Sequence, residues 1–220
     1  MSSRGLILQH GHNGPPARLA EWLRERGIPY EVHRAWEAPP PPVRGRAFVA
    51  SLGSDRSAGA DGPGWVRDEI TALRDAVDAE VPVLGLCFGS QALAVALGGG
   101  VEAARPPEIG WLPIDSDDPT IPDGPWAQYH YEVLRLPPGA RELARTAAGT
   151  AAFRVGPHLG VQFHPESTAE LMSKWARMDP KLPDGVTPEA VDEQGARHAP
   201  AAREHAWRLF DGWWAGARGR

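Results

Sequence analysis

Cysteine is almost absent from this 220-residue chain, which has one, Cys87. A single thiol cannot close an internal disulfide, so a cross-linked secreted scaffold is excluded. Lysine is scarce as well, with only Lys174 and Lys181. Before position 174 there is therefore neither a lysine-bearing phosphate loop nor a Schiff-base lysine. Basic charge is in deficit: 23 Lys and Arg against 28 Asp and Glu give a formal net charge of −5. That balance argues against the basic face a nucleic-acid binder needs. Long apolar runs are lacking too. Leu6–Leu8, within "MSSRGLILQHGHNG", is too short for a signal-peptide core, and no stretch approaches a membrane span. The expectation is a cytoplasmic protein with no nucleic-acid or membrane partner.

The residues that are present alternate between two periodicities. "GLILQH" (5–10), "YEVHRA" (30–35), "AFVAS" (47–51) and "VPVLGL" (81–86) read as short strands. "ARLAEWLRERG" and "WVRDEITALRDAVDAE" (65–80) between them carry apolar residues at helical spacing. Such alternation predicts an α/β fold, a three-layer, mostly parallel sheet with helices on both faces. "EAPPPPVRGR" is an extended connector within the domain, and "LGSDRSAGADGPG" a loop after the third strand. From 101 to 163, "EIGWLPI", "QYHYEVLRL", "TAAFRVG" and "HLGVQF" predict an antiparallel patch. "TAELMSKWARM" and "APAAREHAWRLFDGWWAG" are helical, joined by the polar "DPKLPDGVTPEAVDEQGARH". One domain over 1–220 is expected, with a core at about 5–175 and a C-terminal helical extension at about 180–218. The stripe Trp207, Phe210, Trp213 and Trp214 predicts a helix face packed on the body, with a partner-binding face as the alternative.

The lone cysteine sits in "PVLGLCFGSQALAVALGGG" (82–100), between a strand pattern and a helix pattern. G-x-C-x-G in that context predicts a nucleophile elbow, with Gly85 and Gly89 keeping Cβ atoms out of a tight reversal. The thiol would then sit at a helix start, where backbone N–H groups favour thiolate, and the Phe88 N–H would face a developing oxyanion. The bland alternative is a small buried hydrophobe. A distant segment weighs against it. In "VQFHPES" (161–167), His164 closes a strand and Glu166 follows across a proline that stiffens the backbone. Cys87, His164 and Glu166 thus fit the nucleophile, base and orienting carboxylate of a covalent hydrolase. Alone, the His-Pro-Glu run would read as a surface turn at a helix start.

"GLCFGSQALA" together with "GVQFHPE" resembles the class I glutamine amidotransferases, and the likeness extends through "EIGWLPI" and "YHYEVLRLPPGA" over about residues 5–175. Within that family the chain is similar to the glutaminase half of GMP synthetase. The resemblance implies a flavodoxin-like glutaminase fold and a Cys87–His164–Glu166 triad cleaving the side-chain amide of glutamine through a thioester. It also implies oxyanion-hole donors at Phe88 and Gly53, and glutamine contacts at Gln91, Leu52, Tyr129, His130 and Tyr131. Two segments depart from the family pattern. "SLGSD" has Ser54 and Asp55 where a second glycine and a proline are usual, and "YHYE" has Tyr131 for glycine and Glu132 for aspartate. The substrate implied is glutamine or a γ-glutamyl compound, with a separate synthetase chain as partner and no cofactor. An autonomous γ-glutamyl hydrolase and a non-catalytic regulatory protein on the same scaffold are the alternatives. His10 and His12 in "QHGHN" lack further ligands at suitable spacing, so no metal is expected.

Overall fold

The computed structural model describes residues 3–59 and 62–218. Ala60 and Asp61, in the predicted loop after the third strand, lie outside that set. In chain order the first half comprises β1 (Gly5–Gln9), α1 (Ala17–Glu25), β2 (Tyr30–Arg34), β3 (Val49–Ser51), α2 (Gly64–Asp78), β4 (Val83–Leu86) and α3 (Phe88–Ala96). There follow β5 (Gly100–Leu112), β6 (Asp115–Ser116), β7 (Trp126–Arg135), β8 (Arg141–Arg145), β9 (Thr150–Val155) and β10 (His158–Val161). Two helices, α4 (Ala169–Met178) and α5 (Pro188–Arg218), close the described chain.

Eight strands form one sheet in the order β2-β1-β3-β4-β10-β9-β8-β6. The pairs from β2 through β10 are parallel, and those from β10 to β6 antiparallel. This is the expected α/β architecture, a mostly parallel sheet carrying an antiparallel patch. Alternation along each central strand sends side chains to opposite faces. Leu6, Leu8, Val49 and Val83 pack with Ile70, Leu73, Phe88 and Leu93 of α2 and α3. Ile7, Ala50 and Leu84 pack on the other side with Leu19 and Trp22 of α1 and with Leu209, Phe210 and Trp213 of α5. Both faces of the parallel strands are therefore covered, as their nearly unbroken apolar sequences require.

β5 and β7 pair antiparallel as a separate ribbon, interrupted by an irregularity between Ala103 and Glu108 where two prolines intervene. Ile109, Trp111 and Ala127 of this ribbon pack against Met172 and Ala176 of α4 and Val191 of α5. The aromatic stripe packs on the body: Phe210 and Trp213 are fully buried, and Trp207 and Trp214 lie half-buried beside them.

Two sequence expectations change. The polar stretch before residue 199 is not all connector, because α5 begins at Pro188 and carries Pro200 within it. Its first turns dock through Val191, Gly195 and Gln194, too few apolar groups for a helical pattern to emerge. The strand "RELAR" also went unforeseen; it exists through its pairing with β9 and β6 and offers only Leu143 and Ala144 to the core.

Candidate active site

The chain reverses sharply between β4 and α3, and Cys87 occupies the bend at φ 50°, ψ −108°, a left-handed conformation rare for a residue with a side chain. The flanking glycines are sterically required. A Cβ on Gly85 would lie 2.5 Å from the Gly89 carbonyl oxygen, and one on Gly89 would lie 2.0 Å from that of Ser51. Hydrogen bonds hold the strained residue on both sides. Its N–H donates to Val161 O at 2.8 Å, while its carbonyl accepts from Ser90 Oγ at 2.7 Å and Gln91 N at 3.1 Å.

β10 runs parallel to β4 with Val161 opposite Leu86, so the segment leaving β10 emerges beside the elbow. His164 is tied there by its N–H to Ala127 O (2.8 Å), and Glu166 O accepts from Arg18 N (3.1 Å). Glu166 Oε1 lies 2.7 Å from His164 Nδ1. With Nδ1 engaged by Glu166, Nε2 is the ring nitrogen left free of that carboxylate. Burial alone would push the His164 pKa down. The charges of Glu166 and of a Cys87 thiolate outweigh it and raise the value well above that of free histidine. This arrangement can store a proton on the imidazole with negative charge on sulfur, and deliver that proton to a leaving group.

Gly53 lies against the His164 ring: a Cβ there would stand 2.8 Å from His164 Cε1. Leu52 O accepts from Gly89 N at 3.1 Å. Since that carbonyl shares a trans peptide with the Gly53 N–H, the N–H points away from Gly89. Phe88 opens α3, where N–H groups have no acceptor within the helix. Gln91 Nε2 donates to Glu132 O (3.0 Å) and Gln162 Oε1 (3.3 Å). The carbonyl of Tyr129 is 3.9 Å from Cys87 Sγ.

Alternation along β7 separates the remaining candidates. Tyr129 and Tyr131 place their hydroxyls 2.9 and 2.7 Å from Asp179 Oδ2. Burial, and then Asp179, raises both phenol pKa values. His130 faces the other way, its Nε2 3.1 Å from both Glu108 Oε2 and Gln128 Oε1. Whatever His130 offers a substrate must come from its backbone. Beside His164 lies Trp175, its ring 4.9 Å from that of His164 and its Nε1 2.7 Å from Asn13 O. These candidate residues are nearly closed off: Cys87, His164 and Glu166 are 4, 6 and 3 % exposed.

A family model for glutamine amidotransferase class-I matches residues 56–176, more than half of the chain. The protein belongs to the class I glutamine amidotransferases. It is 34% identical over 173 residues to a GMP synthase (glutamine-hydrolyzing) of Alkalilimnicola ehrlichii, covering 68% of this chain and 31% of that protein. A GMP synthase of Nitrosomonas eutropha is 32% identical over 79% of this chain and 36% of its own length. The chain thus spans about a third of these curated relatives. An Ignicoccus hospitalis protein, named as one subunit of such a GMP synthase, is 36% identical over 45% of this chain and 58% of its own length. Among solved structures, a glutamine amidotransferase of Methylobacillus flagellatus superposes with a TM-score of 0.85 at 25% identity, covering 98% of this chain and 95% of that one. One from Thermotoga maritima superposes at 0.83 with 22% identity, covering 97% and 99%, a likeness of fold.

Several residues of this amidotransferase site were not anticipated. Gln162 Nε2 lies 3.7 Å from Cys87 Sγ, and its oxygen receives Gln91 and the Leu134 N–H. It lies in the bend between the end of β10 and His164, with no local motif to mark it. Trp175 and Asp179 arrive from α4 and its end, with no local motif to mark them. His10 and Glu69 form a buried pair beside Gly53. Among the described residues, no cluster of three His, Cys, Asp or Glu could hold a metal, and no helix is long and apolar enough to cross a membrane.

Proposed function

We propose that this amidotransferase hydrolyses the side-chain amide of glutamine through a thioester on Cys87. The sulfur attacks the carbonyl carbon, and the N–H groups of Phe88 and Gly53 stabilise the resulting oxyanion. Protonated His164 gives its proton to the amide nitrogen, the C–N bond breaks, and ammonia leaves. The neutral imidazole then takes a proton from water, the hydroxide attacks the thioester, and glutamate departs as the sulfur is released. Glu166 keeps Nδ1 engaged throughout, so that Nε2 faces the reaction. Gln91, Leu52, Tyr129, Tyr131 and the backbone of His130 form the glutamine pocket in this reading. The carrying observation is the Cys87–His164–Glu166 alignment at a strained elbow, with the imidazole pKa raised.

The ammonia is destined for a separate synthetase chain. The relative whose name makes it one subunit of a GMP synthase supports this part of the reading. A second reading, autonomous hydrolysis of γ-glutamyl amides or peptides, is favoured by Tyr131, whose ring is held at Asp179. Incubation of the purified protein and its Cys87→Ala variant with glutamine and with γ-glutamyl peptides separates the two. Glutamate release from glutamine, lost in the variant and stimulated by a co-purifying synthetase, supports the first reading. Peptide turnover without a partner supports the second. A wild-type protein that forms no thioester with either substrate would overturn both and leave a non-catalytic regulatory role.

A further inference from the structure

A second buried histidine–carboxylate pair sits behind the catalytic loop. His10 Nε2 is 2.6 Å from Glu69 Oε2, and both side chains are completely shielded from solvent. Glu69 Oε1 takes a 2.5 Å hydrogen bond from Ser51 Oγ, on the residue that ends β3. The other imidazole nitrogen, Nδ1, lies 3.2 Å from the carbonyl oxygen of Gly53. The His10 ring is packed between Trp65 (centroids 5.1 Å apart, stacked) and Phe88 (4.8 Å, edge-on), so it cannot turn away. A carbonyl oxygen only accepts, so Nδ1 must carry a proton directed at Gly53. We infer that His10, oriented by Glu69 and Ser51, is a positioning residue that anchors the Gly53 peptide and thereby aims the Gly53 N–H into the oxyanion hole.

The inference rests on the proposed function for what Gly53 does, and on geometry for how it is held. The two peptides flanking the Gly53 Cα are pinned separately. Leu52 O is held by the Gly89 N–H, and Gly53 O by His10. Glycine has the widest backbone freedom of any residue, and "SLGSD" lacks the proline that the family places in this loop. An external hydrogen bond supplies the constraint that local rigidity would otherwise provide. The cost of burying two ionisable groups is offset because each has hydrogen-bond partners: Glu69 and the Gly53 carbonyl for His10, His10 and Ser51 for Glu69.

Two variants test the inference. His10→Phe/Glu69→Met keeps the packing between Trp65 and Phe88 and avoids stranding a buried carboxylate, but removes the bond to Gly53. Glu69→Gln preserves it: the amide nitrogen donates to Nε2, its oxygen accepts from Ser51, and Nδ1–H remains on Gly53 O. The double variant is expected to lose about 10- to 100-fold in kcat for glutamate release, with KM little changed. Its Cys87 should still be alkylated by iodoacetamide at the wild-type rate, since that displacement builds no oxyanion. Glu69→Gln should stay within a few-fold of wild type. Amide hydrogen exchange at Gly53, followed by NMR, needs no turnover and should quicken in the double variant but not in Glu69→Gln. Wild-type exchange at Gly53 in the double variant, or equal losses in alkylation and turnover, would overturn the inference. A wild-type protein inert toward glutamine would instead count against the proposed function, and the exchange measurement would still decide this point.

Discussion

Gly53→Ala isolates the catalytic geometry from the fold. The backbone there is not left-handed, so alanine adds no dihedral strain, and the whole effect comes from one methyl group. That methyl would lie 2.8 Å from His164 Cε1, 3.5 Å from Nδ1 and 3.8 Å from Nε2. Ordinary contact begins near 3.4 Å, so the ring or the loop must retreat by about 0.6 Å or more. If the ring moves, it leaves the 2.7 Å bond to Glu166 and its alignment with the sulfur. If the loop moves, the Gly53 N–H leaves the position it holds in the proposed oxyanion hole. A misplacement approaching 1 Å costs about 100-fold in rate, or about 2.7 kcal/mol of transition-state stabilisation. Glutamate release measured under saturating glutamine should therefore fall by about 10- to 100-fold, with the urea unfolding midpoint nearly unchanged. Wild-type turnover in a folded Gly53→Ala protein would refute the placement of this glycine at the base.

Glu166→Gln should reshape the pH dependence of stability. The folded-state pKa of His164 is raised, so its contribution is complete below about pH 6.5 and lost as pH rises through the folded value. The wild type should thus lose stability toward alkaline pH more steeply than the variant in urea titrations from about pH 6 to 9; parallel slopes would contradict the assignment. Trp213→Ala, which removes a fully buried indole edge-on to Phe48, should cost about 3–5 kcal/mol by chemical denaturation.

The meeting of Cys87 with His164 and Glu166 could be read from sequence because each side lies in a short segment whose residues constrain one another. Gly85 and Gly89 announce the bend at Cys87, and Pro165 ties Glu166 to His164. The parallel core was legible for a similar reason, since Leu6–Leu8 and Val81–Leu86 are bounded by turn residues. What escaped was long-range or weakly apolar. His10 and Glu69 are 59 positions apart, and a search for metal-ligand spacing had no reason to join them. The start of α5 was hidden because Gln194, bonded through its oxygen to the Trp111 N–H, docks it with a polar group. His130 was grouped with its neighbours on β7, although alternation turns its ring toward Glu108.

Adjacent placement of β4 and β10 has a consequence for how such a protein can diversify. Thiol and imidazole each hang from the tip of one of two neighbouring strands, while everything between Gly98 and Pro157 departs from that seam and returns to it. Under the proposed function, insertions or exchanges in the excursion would reshape what the protein recognises without separating thiol from imidazole. Chemistry and selectivity are in that sense separately heritable parts of one polypeptide.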